Sequence, residues 1–224
     1  MNRMFAIGDI HGCNDAFQQM LFTEIKINKQ DEIYCICDYI DRGPDSKDVI
    51  DTIISLKEQG YQIHTLRGNH EQMMMDAELS MENFQRWYKN GGNTTLESFD
   101  IDKYSAMPRK YKEFFENTQY YFNTNDYIFV HAGLNFEKDD IFEDKDAMLW
   151  IRDFSPRQNK LGNKVMIHGH TPQSLHYILN QKGNCINIDA GCVYNEHRNL
   201  GNLITISLPS KEFIVVKNKR KKNN

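Results

Sequence analysis

The chain is organised around the stretch Met4-Phe5-Ala6-Ile7-Gly8-Asp9-Ile10-His11-Gly12. Its first four residues form an apolar run, which is typical of a buried strand. Asp9 and His11 lie two residues apart, so in an extended segment both side chains point to the same side and can bind one metal ion. Gly8 and Gly12 let the backbone turn sharply and leave room for a ligand. The stretch predicts a strand whose carboxyl end carries part of a metal site.

The same pattern recurs twice further along the chain. Asp38-Tyr39-Ile40-Asp41-Arg42-Gly43 and Gly68-Asn69-His70-Glu71 each place polar ligand types beside a glycine. Apolar runs precede both stretches, and they predict strands over residues 31–38 and 61–66. Three strand ends therefore carry candidate ligands.

Apolar residues at helical spacing separate these three strands. Asn14 is predicted to cap a helix over residues 15–22, and Asp45 or Ser46 to cap a second helix that Gly60 ends. The order β-α-β-α-β predicts an α/β protein with a mostly parallel sheet and right-handed connections. In such sheets ligands bind outside the carboxyl ends of the strands, where all three stretches fall.

Strand patterns return in the second half of the chain. Tyr127–Val130 leads into His131, and residues 164–167 lead into the stretch His168-Gly169-His170-Thr171-Pro172. The close spacing of the remaining candidates predicts an antiparallel portion. These further strand candidates span residues 176–179, 185–188, 203–208 and 212–216.

Length and composition indicate one domain over residues 1–216 and a basic tail over 217–224 that is expected to be disordered. Residues 75–122 combine helical spacing with many aromatic residues and predict a small helical cap insertion. We expect its aromatic residues to pack in a core rather than on a substrate.

Charge and apolar patterning exclude several classes of protein. The 31 acidic residues outnumber the 27 basic ones, which argues against nucleic acid as the main partner. The sequence has neither an apolar run long enough to span a membrane nor a signal-peptide pattern. Five cysteines without such a signal predict reduced thiols and a cytoplasmic protein.

Candidate metal ligands stand at five strand ends. Oxygen and imidazole ligands without thiolates suit manganese, iron or zinc, and two such ions that share one carboxylate can hold a water and clamp a phosphoryl group. His168, two residues before His170, stays open as a residue that supports a ligand. The six predicted ligands of two divalent metal ions are Asp9, His11, Asp38, Asn69, His131 and His170.

Three further residues fit the chemistry of phosphate ester cleavage. His70 follows the ligand Asn69 directly and is a candidate general acid for the departing oxygen. Asp41 can hold the imidazole of His70 in an oriented, charged form. Arg42 can bind phosphate oxygens as a fork.

Taken in order, these stretches resemble the signature of the serine/threonine phosphoprotein phosphatase family of calcineurin-like metallophosphoesterases. The resemblance covers Met4 to Leu208, and three further stretches resemble its compact bacterial and phage branch. They are Trp87-x-x-Asn90-Gly91-Gly92-x-x-Thr95-Leu96, Leu149-Trp150-Ile151-Arg152 and Gly169-His170-Thr171-Pro172.

The resemblance implies a sandwich of two mixed β-sheets flanked by helices, with manganese as the usual activating ion in vitro. It implies Asp9, His11 and Asp38 at the first metal, and Arg152 beside Arg42 on the phosphate. The second metal is implied to be held by Asp38, Asn69, His131 and His170, with Asp38 as the bridge.

One position departs from the family, because Cys37 replaces the glycine before the bridging Asp38. A thiol this close to two metal ions motivates the hypothesis that activity is sensitive to oxidants.

The expected function is hydrolysis of phosphomonoesters, with phosphoserine or phosphothreonine in proteins or a small phosphoester as substrate. The alternative on the same dimetal site is hydrolysis of dinucleoside polyphosphates such as diadenosine tetraphosphate. A binding module without activity is a third possibility, but the complete set of predicted ligands, acid and arginines argues against it. No membrane partner and no specific nucleic acid are expected.

Overall fold

The computed structural model of the chain describes residues 3–36 and 38–219. The strands are β1 (Met4–Ile7), β2 (Glu32–Cys35), β3 (Gln62–Thr65), β4 (Tyr121–Asn123), β5 (Tyr127–Val130), β6 (Val165–His168), β7 (Cys185–Asn187), β8 (Asp189–Ala190), β9 (Asn202–Leu208) and β10 (Glu212–Lys217). The helices are α1 (Asn14–Gln18), α2 (Ser46–Glu58), α3 (Asn69–Asp76), α4 (Met81–Trp87), α5 (Asn93–Phe99), α6 (Arg109–Glu116), α7 (Lys145–Trp150), α8 (Gln158–Leu161) and α9 (Leu175–Leu179).

The first sheet has the strand order β10-β9-β1-β2-β3, with β8 paired to β9. Strands β1, β2 and β3 run parallel, with Phe5 opposite Ile33 and Ile33 opposite Ile63. Strand β9 runs antiparallel to β1, β8 and β10. The β-α-β-α-β start and an antiparallel late portion are therefore both present in this sheet.

The second sheet has the strand order β4-β5-β6-β7. Strand β4 is antiparallel to β5, whereas β5, β6 and β7 are parallel to one another. A buried apolar cluster that includes Ala6, Phe129, Ile167 and Ile204 joins the two sheets. The prediction of a sandwich of two mixed sheets flanked by helices is thus confirmed.

Alternate residues of the strands face different apolar layers. In β1, Phe5 and Ile7 pack with the helices on the outer face of the first sheet, while Ala6 faces the second sheet. In β5, Phe129 belongs to the layer between the sheets, and Val130 packs with Phe136 and Met148 outside. Strands that are buried on both faces need apolar residues at every position, which explains their continuous apolar runs.

Helices α4, α5 and α6 occupy the segment predicted as a helical insertion. Their large aromatic side chains lie in the same apolar cluster as β1, β2 and α2, so this segment forms part of the helical layer on the first sheet. These buried aromatic residues are Trp87, Phe99, Tyr111, Phe114 and Phe115.

The strand predicted over residues 176–179 is wrong, because these residues belong to helix α9. The hydroxyl of Ser174 accepts a hydrogen bond from the backbone N–H of Tyr177 at 3.2 Å, which satisfies one free amide at the start of the helix. Only Ile178 is buried in this helix. Leu175 also packs against the apolar layer between the sheets, so two apolar contacts and a side-chain cap accompany this short helix.

Two element ends also differ from the sequence prediction. Asn14 is the first residue of α1 rather than its cap, and its side-chain oxygen accepts a hydrogen bond from the hydroxyl of Thr52 in α2. The helix continues as a π-helical segment over Gln19–Ile25. Lys217, predicted to begin the tail, is the last residue of β10 and pairs with Asn202.

Cys37 and residues 220–224 lie outside the described residues, so the prediction of a disordered tail and the oxidant hypothesis for Cys37 stay predictions. Of the helices formed by residues 3–36 and 38–219, none has the length and apolar character needed to cross a bilayer.

Candidate metal centre

The first two loops of the site are joined by backbone hydrogen bonds. The N–H groups of Ile10 and His11 both donate to the carbonyl of Asp38, at 3.0 and 2.9 Å, and the N–H of Gly12 donates to the carbonyl of Tyr39 at 2.8 Å. A Cβ atom at Gly43 would overlap the carbonyl oxygen of His11, so only glycine permits this approach. The parallel pairing of β1 and β2 thus delivers both ligand-bearing loops to one place.

Glu71 connects the third loop to the second. One of its carboxylate oxygens accepts from the N–H of Tyr39 at 2.9 Å and of Ile40 at 3.3 Å, and the other accepts from the N–H of Gly68 at 3.0 Å. Burial, followed by the negative charge of Asp38, raises the pKa of Glu71. The sequence interpretation assigned no role to this residue, which holds the second and third loops in register.

Three of the predicted ligands of the second metal converge on one point. The Asn69 Oδ1 atom lies 2.9 Å from both His131 Nε2 and His170 Nδ1, and these two nitrogens are 3.2 Å apart. All three side chains are buried. An amide oxygen and two imidazole nitrogens facing each other at these distances form a ligand set that fits a divalent ion.

Asp38 lies between this cluster and a second one. Its Oδ1 atom is 3.6 Å from His131 Nε2, whereas Oδ2 is 3.5 Å from His11 Nε2 and 4.0 Å from His70 Nε2. The structure therefore brings together two candidate ligand groups that share Asp38, one with His131 and His170 and one with His11 and His70. The two oxygens of one carboxylate thus face different ligand groups, as a bridging ligand requires.

Asp9 belongs to a group of buried carboxylates beside these ligands. It is 3 % exposed, and its Oδ1 atom accepts from the backbone N–H of His170 at 3.4 Å. Burial, followed by the charges of Asp189 and Asp38, raises the pKa of Asp9. A Cβ atom at Gly169 would overlap the carboxylate of Asp9. Asp9 therefore lies against the same loop as His170, in a place where added positive charge is favourable.

The orientation and the lowered pKa values of His11, His131 and His170 suit neutral metal ligands. His11 Nδ1 lies 2.8 Å from the carbonyl of Ile40 and His131 Nδ1 lies 3.4 Å from that of Ile36, so each N–H points outward and each Nε2 lone pair points into the site. Burial lowers the pKa of His11 and of His131, and burial followed by the charge of His131 lowers that of His170 to about 3. Neutral imidazoles are the form that metal ions bind.

The two arginines stand on different sides of the ligand groups. Arg42 Nη1 is 2.7 Å from His11 Nε2, so a guanidinium charge already lies at the lone pair predicted to bind a metal. Arg152 is exposed, donates to the hydroxyl of Thr171 at 3.3 Å, and lowers the pKa values of His131 and His170 by its charge, after the effect of burial. Both arginines can therefore reach an anion bound beside the ligands.

His70 and Asp41 form a buried pair. His70 Nδ1 lies 2.6 Å from Asp41 Oδ2, which leaves Nε2 facing Asp38. Asp41 is also held from the helical layer, because Trp87 Nε1 donates to both of its oxygens at 3.0 and 3.1 Å and the Thr95 hydroxyl donates to Oδ1 at 2.6 Å. The orientation of the His70 imidazole thus depends on two side chains that lie far along the chain.

Sequence reasoning missed Asp189, Trp87 and Thr95 as parts of the site. Asp189 follows an apolar run and precedes the turn at Gly191, whose N–H donates to it at 2.8 Å. Burial raises its pKa to about 7. A carboxylate after a strand and beside a glycine is the same signal as at Asp9 and Asp38. His168 is buried with its ring edge-on to Phe154 at 5.4 Å, outside the two ligand groups.

The sequence matches a known protein family over most of its length. A model of the calcineurin-like phosphoesterase family matches residues 3–201. The chain is 29% identical to the asymmetrical bis(5'-nucleosyl)-tetraphosphatase PrpE of Anoxybacillus flavithermus over 94% of this chain and 92% of that protein. It is 37% identical to serine/threonine-protein phosphatase 1 of Salmonella typhimurium over 40% of this chain and 39% of that protein.

A solved structure resembles the fold over nearly its whole length. The serine/threonine phosphatase from Saccharomyces cerevisiae superposes with a TM-score of 0.66 at 18% identity, covering 99% of this chain and 82% of that one. At this identity the likeness concerns the fold alone.

Replacing the shared carboxylate tests the bridge. Asp38→Asn keeps the side-chain shape and keeps Oδ1, which accepts a hydrogen bond from the backbone N–H of His70 at 3.1 Å. The substitution removes the negative charge between the two ligand groups. We expect the metal content, measured by elemental analysis after dialysis against manganese, to fall from about two ions per chain to fewer than one. Asp139→Asn, at an exposed position, is the matched control and should keep both ions. Loss of a single ion would contradict a shared ligand.

Removing a hydroxyl tests the support of Asp41. Thr95→Val deletes the donor to Asp41 Oδ1 and one of the two acceptors of the Asp41 N–H, the other being the Ser46 hydroxyl, while it keeps the side-chain shape. A hydrogen bond to a charged group contributes about 1.5–3 kcal/mol, so we expect kcat to fall by roughly tenfold or more with little change in KM. Thr95→Ser retains the hydroxyl and should restore kcat. Equal kcat values for the valine and serine variants would show that the Thr95 hydroxyl does not contribute to the function of the His70–Asp41 pair.

Proposed function

The chain belongs to the calcineurin-like phosphoesterase family, and from this premise we propose that it hydrolyses dinucleoside tetraphosphates such as diadenosine tetraphosphate. The observation that carries the proposal is the extent of similarity. The relative named for this substrate class aligns over almost the whole of both chains. The phosphoprotein phosphatase relative aligns over well under half of each chain. Substrate specificity resides in parts of the fold that differ between such relatives.

Two divalent metal ions fit the described residues. Asp9, His11 and Asp38 would hold one, although His70 rather than Asp9 is grouped with His11 and Asp38 in the structure. The second would be held by Asp38, Asn69, His131 and His170. When bound, such ions lower the pKa of a water and neutralise charge on a phosphoryl group. We propose manganese as the ion to test first, with iron and zinc as alternatives.

The side chains around this centre perform the remaining tasks. Arg42 and Arg152 can bind the non-bridging phosphate oxygens from two sides, which orients the phosphorus for in-line attack. His70 Nε2 carries the proton for the leaving oxygen, because Nδ1 is engaged by Asp41 at 2.6 Å. Trp87 and Thr95 keep Asp41 in place and so keep His70 aimed at the leaving group.

A phosphoserine or phosphothreonine protein is the second candidate substrate, as the motifs in the sequence first suggested. The observation in its favour is the His70–Asp41 pair. A serine alkoxide is a strong base and cannot leave without a proton, whereas the phosphate oxygen of a departing nucleotide is a much weaker base and needs the acid less. A small phosphoester substrate is compatible with either reading.

A substrate comparison tests the proposed function. The purified chain loaded with manganese is assayed on diadenosine tetraphosphate and on a phosphothreonine peptide. We expect kcat/KM on the dinucleotide to be higher by about tenfold or more. Chromatography of the products then distinguishes cleavage into a triphosphate and a monophosphate from cleavage into two diphosphates. A clear preference for the peptide would overturn the proposal in favour of the second candidate.

The role of His70 is tested by changing the leaving group. His70→Asn removes the proton donor, so kcat should fall most on an alkyl phosphate, less on phenyl phosphate and least on p-nitrophenyl phosphate, whose leaving group needs no proton. The overall loss on the alkyl substrate is expected to be roughly 10²–10⁴-fold. His176→Asn, an exposed histidine of α9, is the control. A loss that is the same for all three leaving groups, or a loss of bound metal, would show that His70 is not the acid.

A further inference from the structure

A cavity of about 360 Å³ lies beside the metal centre, between α3, α4 and α7. We call it the Trp150 cavity after the lining residue whose ring contacts the ring of His170. Its volume is within the range of sites that bind small molecules. Its lining includes Gln72, Asp76, Asn83, Arg86, Tyr120 and Trp150.

The Trp150 cavity is adjacent to the second ligand group. The Trp150 ring contacts the His170 ring edge-on, with centroids 6.3 Å apart. Helix α3 begins with Asn69 and His70 in the metal centre and lines the cavity with Gln72 and Asp76 further along. A group attached to a phosphate at the metal centre can therefore extend into the cavity without leaving the protein surface.

Flat groups that suit an aromatic ring line the cavity. The guanidinium of Arg86 lies over the Trp150 ring at 4.6 Å, and the side chain of Arg86 remains exposed. Two cationic groups contact the Tyr120 ring, with Arg67 Cζ 5.0 Å and Lys145 Nζ 4.9 Å from its centroid. Nucleobases stack on guanidinium planes as well as on aromatic rings, so the exposed guanidinium of Arg86, supported by the Trp150 ring, offers a stacking surface for a base.

Hydrogen-bonding groups complete the lining. The amide of Gln72 donates to Asp76 Oδ1 at 2.9 Å and accepts from Arg67 at 3.1 Å, and the amide of Asn83 donates to the carbonyl of Asp76 at 3.1 Å. Amides and a carboxylate held in fixed positions can pair with the edge of a base and with ribose hydroxyls. An extended peptide would instead require a groove with free backbone partners.

The formal charges of the lining balance. Arg86 and Lys145 are offset by Asp76 and Asp146. A balanced lining does not concentrate phosphate, which the metal centre with Arg42 and Arg152 already attracts. It favours an uncharged group that is flat on one side and rich in hydrogen-bonding atoms on its edges.

From this placement we propose that the Trp150 cavity binds one nucleoside of the phosphate substrate, with its base stacked on the Arg86 guanidinium that Trp150 supports. The proposal rests on the proposed function, since it names where that substrate is recognised. It assigns specificity to α4 and α7 rather than to the ligand loops.

The experiment compares Arg86→Ala and Arg86→Lys with the parent on diadenosine tetraphosphate and on p-nitrophenyl phosphate, which carries no nucleoside. We expect the ratio of kcat/KM on diadenosine tetraphosphate to kcat/KM on p-nitrophenyl phosphate to fall by at least about tenfold in the alanine variant. This is the size expected for the loss of one stacking contact. Arg86→Lys keeps the charge but lacks the plane, so it should lose most of the same ratio. Arg109→Ala, an exposed arginine of α6, is the matched control and should keep the parent ratio.

A second measurement keeps the outcome distinct from that of the proposed function. Adenosine monophosphate and ribose 5-phosphate are compared as competitive inhibitors of p-nitrophenyl phosphate hydrolysis. The parent should bind the adenosine compound more tightly by about tenfold, and Arg86→Ala should abolish this difference. If the parent hydrolyses the dinucleotide but the variant keeps the parent ratio and inhibitor preference, the cavity is not the nucleoside site. If the parent fails to hydrolyse the dinucleotide yet shows an inhibitor preference that depends on Arg86, the cavity proposal stands and the proposed function fails.

Discussion

The buried charge of Asp38 is the constraint on which the rest of the site depends. Burial by itself opposes ionisation, but the charges that His131, His70 and His11 carry when protonated hold the pKa of Asp38 well below its usual value. The neighbouring carboxylates of Asp9 and Asp189 have raised pKa values, owing to burial first and then to the charge of Asp38, with the charge of Asp189 also raising the pKa of Asp9. Several acids thus meet where water is scarce, and divalent ions would stabilise all of them at once. Metal binding and the folding of these loops are therefore linked.

The backbone at this place is constrained as strongly as the charges. Four site residues without the freedom of glycine adopt the left-handed conformation, namely His11, Asp41, Arg42 and His170. Each such residue costs about 1–2 kcal/mol and persists only where its surroundings fix it. The Asp41 N–H donates to the Thr95 hydroxyl at 2.9 Å, and the Arg42 N–H donates to the carbonyl of Gly91 at 3.2 Å. The helices that follow α3 therefore hold the second loop in its strained form as well as orienting Asp41.

Sequence reasoning recovered what depends on local pattern. The strand ends that carry Asn69, His131 and His170 follow from apolar runs and glycines, and parallel pairing of strands brings ligand loops together without knowledge of any side-chain contact. Contacts between distant segments, such as Trp87 with Asp41, leave no periodic signal in the sequence, so only the resemblance pointed to that stretch. The helix at residues 175–179 was missed because a short apolar segment is ambiguous until its cap is recognised.

The metal ligands and the lining of the Trp150 cavity belong to different parts of the fold, which explains why the ligand motifs alone do not identify the substrate. The dimetal centre acts on a phosphoryl group and contacts little of what the phosphoryl group is attached to. The cavity proposed for the attached group is lined by side chains of α3, α4 and α7, such as Gln72, Arg86 and Lys145, that take no part in the predicted metal site. Proteins that act on nucleotides and proteins that act on phosphoproteins can therefore share every ligand and differ in these walls. In this chain the walls beside His170 combine a guanidinium over an indole with fixed amides, and that combination favours a nucleoside over an extended peptide.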